Sequence, residues 1–133
     1  MNAKRHFLRA QQHRAFHTDL VDITTQYPRR HYDWAIVGMF YEAVHIVEGY
    51  RHGQGRGDST DHGERATFLA INCPESYEPY EALSRGAFYA RYTDRPFGYR
   101  DVAELQEKLT NIRGYFELLD AGYRAVLRAE PRR

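Results

Sequence analysis

The sequence predicts an all-α protein: an antiparallel, up-and-down bundle of about four or five helices that ends in a long C-terminal helix. Apolar residues recur along most of the chain at the three- and four-residue spacing of a helix. No segment alternates apolar and polar residues for long enough to predict a strand. One apolar seam continues over more than three heptads near the C-terminus, and it predicts the long final helix.

The composition indicates a single domain over residues 1–133. Hydrophobic residues make up 42% of the chain and charged residues 28%, which is typical of a globular protein. The N-terminus lacks an apolar signal region and no apolar run is long enough to span a bilayer, so we expect a cytoplasmic protein without membrane contact. Nineteen basic residues balance eighteen acidic ones, so nucleic acid could be attracted only by a local basic patch.

The first predicted helix covers residues 3–25, a stretch without Pro or Gly, and ends before Tyr27-Pro28. Its apolar face is thin and is predicted to consist of Leu8, Ala15, Phe16, Leu20 and Ile23.

The second predicted helix runs from Trp34 to about Tyr50, with Asp33 as its cap. It is apolar on nearly all sides, including Trp34, and is therefore expected to be central. Five glycines between Gly49 and Gly63 predict a loop.

Two shorter helices are predicted next. Asp61 and Glu64 have the spacing of a capping box, which predicts a third helix to about Asn72. Pro79 in a first-turn position predicts a fourth helix over residues 77–92, followed by a Pro–Gly turn.

The final helix is predicted to be continuous, opened by a capping box of Asp101 and Glu104 and closed by Pro131. We expect its seam to dock mainly into the bundle of its own chain, with a share in a dimer interface left open. The seam consists of Val102, Leu105, Leu109, Ile112, Phe116, Leu119, Tyr123 and Val126.

No metal site and no cofactor are predicted. His13 and His17 are one helical turn apart, but no carboxylate completes a metalloprotease pattern, which favours a solvated helix face. The single Cys73 excludes an internal disulfide, and a buried, inert thiol is expected.

His45 lies in the most apolar helix, one turn after Tyr41. A buried imidazole requires hydrogen-bond partners, so a structural role with a Tyr or carbonyl partner is favoured. The alternative places His45 in the wall of a ligand groove that it shares with His62.

His62 and Arg65 project from one face of the predicted third helix. The first turn of a helix presents free backbone N–H groups, so a phosphate could bind there between Arg65 and a protonated His62. Simple capping of the helix explains the same residues equally well.

The fourth predicted helix carries Arg85, Arg91 and Tyr92, with Asp94 just beyond its end. A structural Arg–Asp pair is the ordinary interpretation. A role in ligand binding would require the tertiary fold to bring these residues near His62.

Three segments occur in an order that resembles the HEPN family of small prokaryotic helical bundles, over about residues 5–125. The segments are Asp33-Trp34-Ala35 with Phe40-Tyr41-Glu42-Ala43-Val44-His45, Asp61-His62-Gly63-Glu64-Arg65, and Arg91-Tyr92-Thr93-Asp94. Many HEPN proteins resemble toxins of toxin–antitoxin or defence systems that cleave RNA without metal, through an Arg-x4–6-His motif on a late helix. Others lack that motif and bind nucleotides or partner nucleotidyltransferases.

This chain departs from the ribonuclease pattern, because all seven histidines lie at or before His62. Only Arg56 and His62 have a fitting spacing, and Arg56 lies in the glycine-rich loop. The resemblance therefore implies a homodimeric, non-catalytic module that binds a phosphate-bearing ligand such as a nucleotide, or a protein partner such as a nucleotidyltransferase-like antitoxin. The alternative is a metal-independent endoribonuclease in which His62 transfers protons and Arg65 or Arg56 holds the phosphate.

Overall fold

A computed structural model describes residues 1–24 and 31–129, and these residues form six α-helices with no strand among them. The all-α prediction is confirmed. Tyr27, Pro28 and Pro131, which were expected to end helices, lie outside the described residues. The helices are α1 (Ala3–Thr24), α2 (Tyr32–Gly53), α3 (His62–Asn72), α4 (Pro74–Tyr92), α5 (Tyr99–Leu119) and α6 (Ala121–Ala129).

The four long helices α1, α2, α4 and α5 form an up-and-down bundle around α2, which packs against every other described helix. Phe7 lies against Gly49 and His17 contacts Glu42, so α1 and α2 run antiparallel. The helix α5 docks on α4 and α2 of the same chain, as its seam predicted.

One apolar cluster, with members from all six helices, forms the core. Burying each large apolar side chain stabilises the fold by about 1.5–3 kcal/mol. Cys73 belongs to this cluster and is fully buried, as expected. The largest fully buried aromatic side chains are Tyr80, Tyr123, Phe7 and Phe116.

The predicted apolar face of α1 is wrong in part, although Leu20 packs against the core as predicted. Leu8 and Phe16 are 43% and 51% exposed, whereas Phe7 and Ala10 are buried. The buried face also includes three polar residues, which apolar periodicity cannot identify: His6, Gln11 and His17. His17 is therefore not part of a solvated face, since it is only 2% exposed.

The boundaries of α2 differ from the prediction at both ends. The helix begins at Tyr32 after His31, so Asp33 lies in the first turn and is not the cap. It continues past Gly49 to Gly53, and a Cβ atom at Gly49 would lie 2.4 Å from the Phe7 ring. That glycine is needed for close packing inside a helix, not for a loop.

The start of α3 was predicted correctly. Asp61 is its N-cap, and the Asp61 carboxylate accepts a hydrogen bond of 2.8 Å from the backbone N–H of Glu64. The start of α4 was predicted incorrectly, because the helix begins at Pro74 and contains Pro79 in its interior. Pro74 occupies the first-turn position that the sequence analysis had assigned to Pro79.

The C-terminal seam is divided between two helices, so the prediction of one continuous helix is wrong. Asp120 adopts an extended conformation after α5, and its side chain accepts a hydrogen bond of 3.0 Å from the backbone N–H of Tyr123. Tyr123 and Val126 are nevertheless buried, whereas Leu119, just before the break, is 48% exposed.

The start of α5 also differs from the prediction. Asp101 does not cap the helix, because its carboxylate accepts a hydrogen bond of 2.8 Å from the backbone N–H of Gly98, the true cap residue. No helix in the described ranges is long and apolar enough to cross a membrane.

Candidate functional site

A polar stripe on α2 organises the candidate site. Tyr41, His45, Glu48 and His52 follow one another at four-, three- and four-residue intervals, so they share one face of an otherwise apolar helix. Side chains of α1 meet this stripe on one side, and those of α3 and α4 meet it on the other.

A histidine cluster, formed by His6, His13, His45 and His52, joins α1 to the stripe. The Nδ1 atoms of His6 and His45 are 2.9 Å apart, so one imidazole donates a hydrogen bond to the other. The ring of His13 stacks on His45 with a centroid distance of 5.5 Å and an interplanar angle of 10°.

Asp58, in the loop between α2 and α3, is hydrogen-bonded to two of these histidines. Its Oδ1 atom accepts hydrogen bonds from Nε2 of His6 at 2.7 Å and from Nε2 of His52 at 2.5 Å. These two bonds hold the pKa of the Asp58 carboxyl well below its usual range, so the group is ionised at neutral pH.

His45 is neutral at pH 7. Burial, together with the nearby charges of His6, His13, Arg9 and Arg65, lowers its pKa to about 4. His45 lies between the His6 and His13 side chains of α1 on one side of the stripe and Arg65 of α3 on the other. Its hydrogen-bond partner is another histidine, not the Tyr or carbonyl that the sequence analysis favoured.

His62 lies at the first position of α3 with its side chain 45% exposed. Its Nδ1 atom is 3.0 Å from the Tyr80 hydroxyl, its Nε2 atom is 3.1 Å from the Ser84 hydroxyl, and the ring stacks on Tyr80. The Glu81 carboxylate is 3.7 Å from Nε2. The imidazole is thus held in one orientation while remaining open to solvent.

Arg65 lies beside His62, as the sequence analysis expected of two residues on one helix face. It donates hydrogen bonds to the Glu48 carboxylate at 2.7 Å and to the Tyr80 hydroxyl at 3.2 Å. Because Arg65 donates to Tyr80, the Tyr80 hydroxyl can donate to Nδ1 of His62, which links the two residues. The charge of Arg65 is already paired with Glu48, which weakens it as a phosphate ligand.

Arg91, on α4, contacts Tyr41, the first residue of the stripe. It donates a hydrogen bond of 3.0 Å to the Tyr41 hydroxyl and lies over the rings of Phe40, Tyr41 and Tyr92. This contact takes the place of the Arg–Asp pair expected from the sequence. Arg91 is exposed and has no carboxylate partner within the described residues, so its charge is available to a ligand.

Three other predicted site residues lie apart from this surface. Arg85 lines a cavity of about 160 Å³ between α4 and α5. Asp94 is exposed in the loop after α4. The guanidinium of Arg56 lies 5.3 Å from the centre of the Phe68 ring. Arg56 therefore contacts Phe68 rather than His62.

A cavity of about 420 Å³ opens between α1 and α2, next to Tyr41. Trp34 and Phe16 line it and are 57% and 51% exposed, and Arg9 and His13 lie at its edge. The sequence analysis assigned both aromatic residues to the core. Nothing in the apolar pattern distinguishes an aromatic residue that fills a core from one that lines an open cavity.

A larger cavity of about 620 Å³ lies between α1 and α6. Its lining residues are apolar apart from Lys4 and Asp120, so it offers few groups that could orient a polar ligand.

Glu42 forms a buried ionic contact that the sequence analysis did not anticipate. The residue is fully buried in α2, accepts a hydrogen bond of 2.7 Å from His17 of α1, and binds Arg113 of α5 through two bonds of 2.6 and 2.7 Å. This group connects three helices, and its Glu42 carboxylate is fully buried, which indicates a structural role.

Comparisons with protein-family models, with curated proteins and with solved structures found no match to this chain. The resemblance to HEPN proteins therefore stays a prediction from the sequence.

Proposed function

We propose that this chain is a non-catalytic, HEPN-like binding module whose ligand is a nucleotide, either free or as a unit of single-stranded RNA. The observation that carries the proposal is the cavity between α1 and α2, where exposed aromatic rings and exposed guanidinium groups adjoin. A nucleotide combines the two chemical features that such a surface binds: a flat base and an anionic phosphate.

The base is expected to stack among Trp34, Phe16 and Tyr41. Stacking of a base on an aromatic side chain contributes about 1–3 kcal/mol and tolerates different bases. The cavity volume of about 420 Å³ falls within the usual range for small-ligand sites, about 300–1,000 Å³. Tyr41 connects the cavity to Arg91 through its hydroxyl.

The phosphate is expected to bind Arg9, which lines the cavity, and Arg91, which donates a hydrogen bond to the lining residue Tyr41. A guanidinium group binds phosphate through paired, charge-assisted hydrogen bonds. His62 lies further along the same surface, in edge contact with the Phe40 ring that Arg91 also covers, and could meet a second phosphate of an RNA strand.

Trp34 provides a direct test, because it is the only tryptophan in the chain and it lines the cavity. We expect adenosine monophosphate, or a short oligouridylate, to quench its fluorescence in a saturable way. Arg91→Ala should weaken binding about tenfold or more, since a hydrogen bond to a charged group contributes about 1.5–3 kcal/mol. Arg128→Ala, which removes an exposed arginine of α6, is the matched control and should bind normally.

The salt dependence supplies a second criterion. Phosphate binding should weaken as salt increases, and the slope should be smaller in Arg91→Ala because one contact has been removed. The proposal fails if millimolar nucleotide and micromolar oligonucleotide both leave Trp34 fluorescence unchanged, or if Arg91→Ala and Arg128→Ala bind equally well.

The second candidate is the metal-independent endoribonuclease. The position of His62 favours it: the imidazole is partly exposed, is oriented by Tyr80 and Ser84, and lies beside Arg65. An imidazole of this kind can remove a proton from a 2′-hydroxyl or donate one to a leaving oxygen.

Incubation with mixed single-stranded RNA in EDTA distinguishes the two functions. Cleavage that persists in EDTA and is lost in His62→Ala and Arg65→Ala would establish the ribonuclease. His31→Ala is the matched control, because His31 is exposed at the start of α2, away from Tyr80. Absence of cleavage by every form at high protein concentration would eliminate the ribonuclease and leave the binding module.

The HEPN resemblance also leads us to propose a cytoplasmic homodimer and a nucleotidyltransferase-like antitoxin as a partner. Large apolar side chains on the last turns of α4 support a protein contact, because Phe88 and Tyr92 are 52% and 68% exposed. Co-expression with the product of an adjacent nucleotidyltransferase-like gene, followed by purification through a tag on one chain, tests the partner.

A further inference from the structure

The side chains of His6, His52 and Asp58 converge although they belong to three different segments of the chain. His6 is on α1, His52 is in the last turn of α2, and Asp58 is in the loop that follows. One potential ligand atom from each residue lies within 4.8 Å of the other two.

Two imidazole nitrogens and a carboxylate oxygen are a donor set for Zn²⁺ and related divalent transition metals. With metal–ligand distances of about 2.0–2.2 Å, tetrahedral ligand atoms lie about 3.3–3.5 Å from one another. The two nitrogens are now 2.7 and 2.5 Å from the Asp58 oxygen, as hydrogen bonds require. Both distances would therefore lengthen when an ion binds.

The loop around Asp58 is held in place by two buried residues of α2. Arg51 donates hydrogen bonds of 3.1 Å to the Gly57 carbonyl and to the Ser59 hydroxyl. The Glu48 carboxylate accepts a bond of 3.1 Å from the backbone N–H of Ser59. The residues on either side of Asp58 are thus fixed, and its carboxylate is directed towards His6 and His52 by the fold.

We propose that His6, His52 and Asp58 form a three-ligand site for Zn²⁺ or a similar divalent transition metal. The fourth position of a tetrahedral ion would remain open to water or to another ligand. None of the three ligands lines the α1–α2 cavity, so the site goes beyond the proposed nucleotide function and does not depend on it.

His45 is the hydrogen-bond partner of the proposed metal ligand His6. A histidine that binds a metal through one nitrogen commonly donates its other N–H to a neighbouring acceptor, which orients the ring. With a metal on Nε2, His6 carries its proton on Nδ1 and donates it to Nδ1 of His45. His45 then carries its own proton on Nε2.

Without a metal, the protons are arranged differently. A neutral His6 that donates from Nε2 to Asp58 accepts, at Nδ1, a hydrogen bond from Nδ1–H of His45. The Nε2 atom of His45 then has a free lone pair. Metal binding therefore exchanges the tautomers of both histidines without changing the number of protons that they carry.

Titration of the EDTA-stripped, dialysed full chain with ZnCl₂ alone tests the site. We expect calorimetry to detect one ion per chain, the thermal unfolding midpoint to rise, and Co²⁺ to develop visible absorption bands of a low-symmetry site. His52→Ala and Asp58→Asn should each weaken binding at least tenfold. His31→Ala should bind as the unaltered chain does.

Absence of Zn²⁺ binding at about 100 µM ion, or binding that His52→Ala and Asp58→Asn leave intact, would overturn the proposal. A variant that loses its helical circular dichroism is unfolded and cannot test the site. In that case, ¹⁵N spectra of the histidines in the unaltered chain provide the test. Zn²⁺ should then move the His45 proton from Nδ1 to Nε2, and unchanged His6 and His52 signals would refute the site. Normal nucleotide binding by Asp58→Asn would show that nucleotide binding does not depend on the metal site.

Discussion

At the scale of the residue, Glu42 shows how a buried charge is stabilised. Burial opposes ionisation of Glu42, but hydrogen bonds from Arg113 and His17 outweigh it and hold the pKa of the carboxyl below its ordinary value. A lowered pKa means that ionised Glu42 stabilises the folded state. That contribution is complete above the unfolded-state pKa of about 4.3 and is lost as the pH falls below it.

We therefore expect Glu42→Gln to lower the free energy of unfolding at pH 7 by about 3 kcal/mol, because it leaves the partly buried Arg113 without its counter-ion. The variant should also lose part of the decrease in stability between about pH 5 and pH 3. Urea unfolding at both pH values measures this. Glu107→Gln, on an exposed face of α5, is the control. Equal pH profiles for the two variants would contradict the assignment.

Tyr123 presents the opposite case, a buried polar atom without a partner. Its hydroxyl makes no hydrogen bond within residues 1–24 and 31–129, although the side chain is fully buried. We expect Tyr123→Phe to raise the free energy of unfolding by about 1 kcal/mol, since an unsatisfied buried hydroxyl is costly. Thermal or urea unfolding provides the measurement.

Tyr80→Phe is the matched comparison for this prediction. It removes the same atom from an equally buried ring, but the Tyr80 hydroxyl contacts both His62 and Arg65. Its removal should lower stability by about 1–3 kcal/mol. Destabilisation by Tyr123→Phe would show that a water molecule satisfies that hydroxyl.

At the scale of the element, the contact between α1 and α2 depends on Gly49. A methyl group there would lie 2.4–2.7 Å from atoms of the Phe7 ring, closer than packed atoms approach, so α1 would have to move. We expect Gly49→Ala to lower the free energy of unfolding by about 1–3 kcal/mol.

The same substitution at Gly114 supplies the control, because nothing lies within 4 Å of a Cβ atom at that position in α5. Gly114→Ala should raise stability by about 0.5–1 kcal/mol, since alanine loses less conformational freedom in a helix. Similar effects of the two substitutions in urea unfolding would show that helix propensity, and not the Phe7 contact, governs Gly49.

At the scale of the whole molecule, the proposed homodimer can be measured directly. Light scattering on the purified chain at micromolar concentration should give twice the mass of the monomer. Phe88→Ser should favour the monomer if the exposed aromatic surface of α4 is the interface. Ile71→Ser, at an exposed apolar position on α3, is the control. A monomeric mass for the unaltered chain would refute the dimer.

The success of the fold prediction depended on signals that are local in sequence. The Asp61–Glu64 cap located the start of α3, because capping involves residues three apart. Apart from Leu119, the heptad seam correctly identified the residues that dock α5 and α6. It could not reveal the break at Asp120, because a one-residue interruption leaves Tyr123 and Val126 on the buried side.

The candidate site could be predicted only in part for the same reason. His62 and Arg65 were expected together because they share a turn of α3, and they do share the Tyr80 hydroxyl. His6 and Asp58 are 52 residues apart, and no local pattern relates them. His13 and His17 share a turn of α1 yet have different surroundings, the cavity edge for one and Glu42 for the other.

The sequence by itself determined the helical class, the central position of α2 and the start of α3, since these follow from periodicity and from a cap that spans a single turn. Only the tertiary structure decided which polar residues of α1 are buried, that Trp34 and Phe16 line an open cavity, and that His6, His52 and Asp58 meet. The physical reason is that one helix face is assigned by its own spacing, whereas the partner of each side chain is chosen by how separate helices pack together.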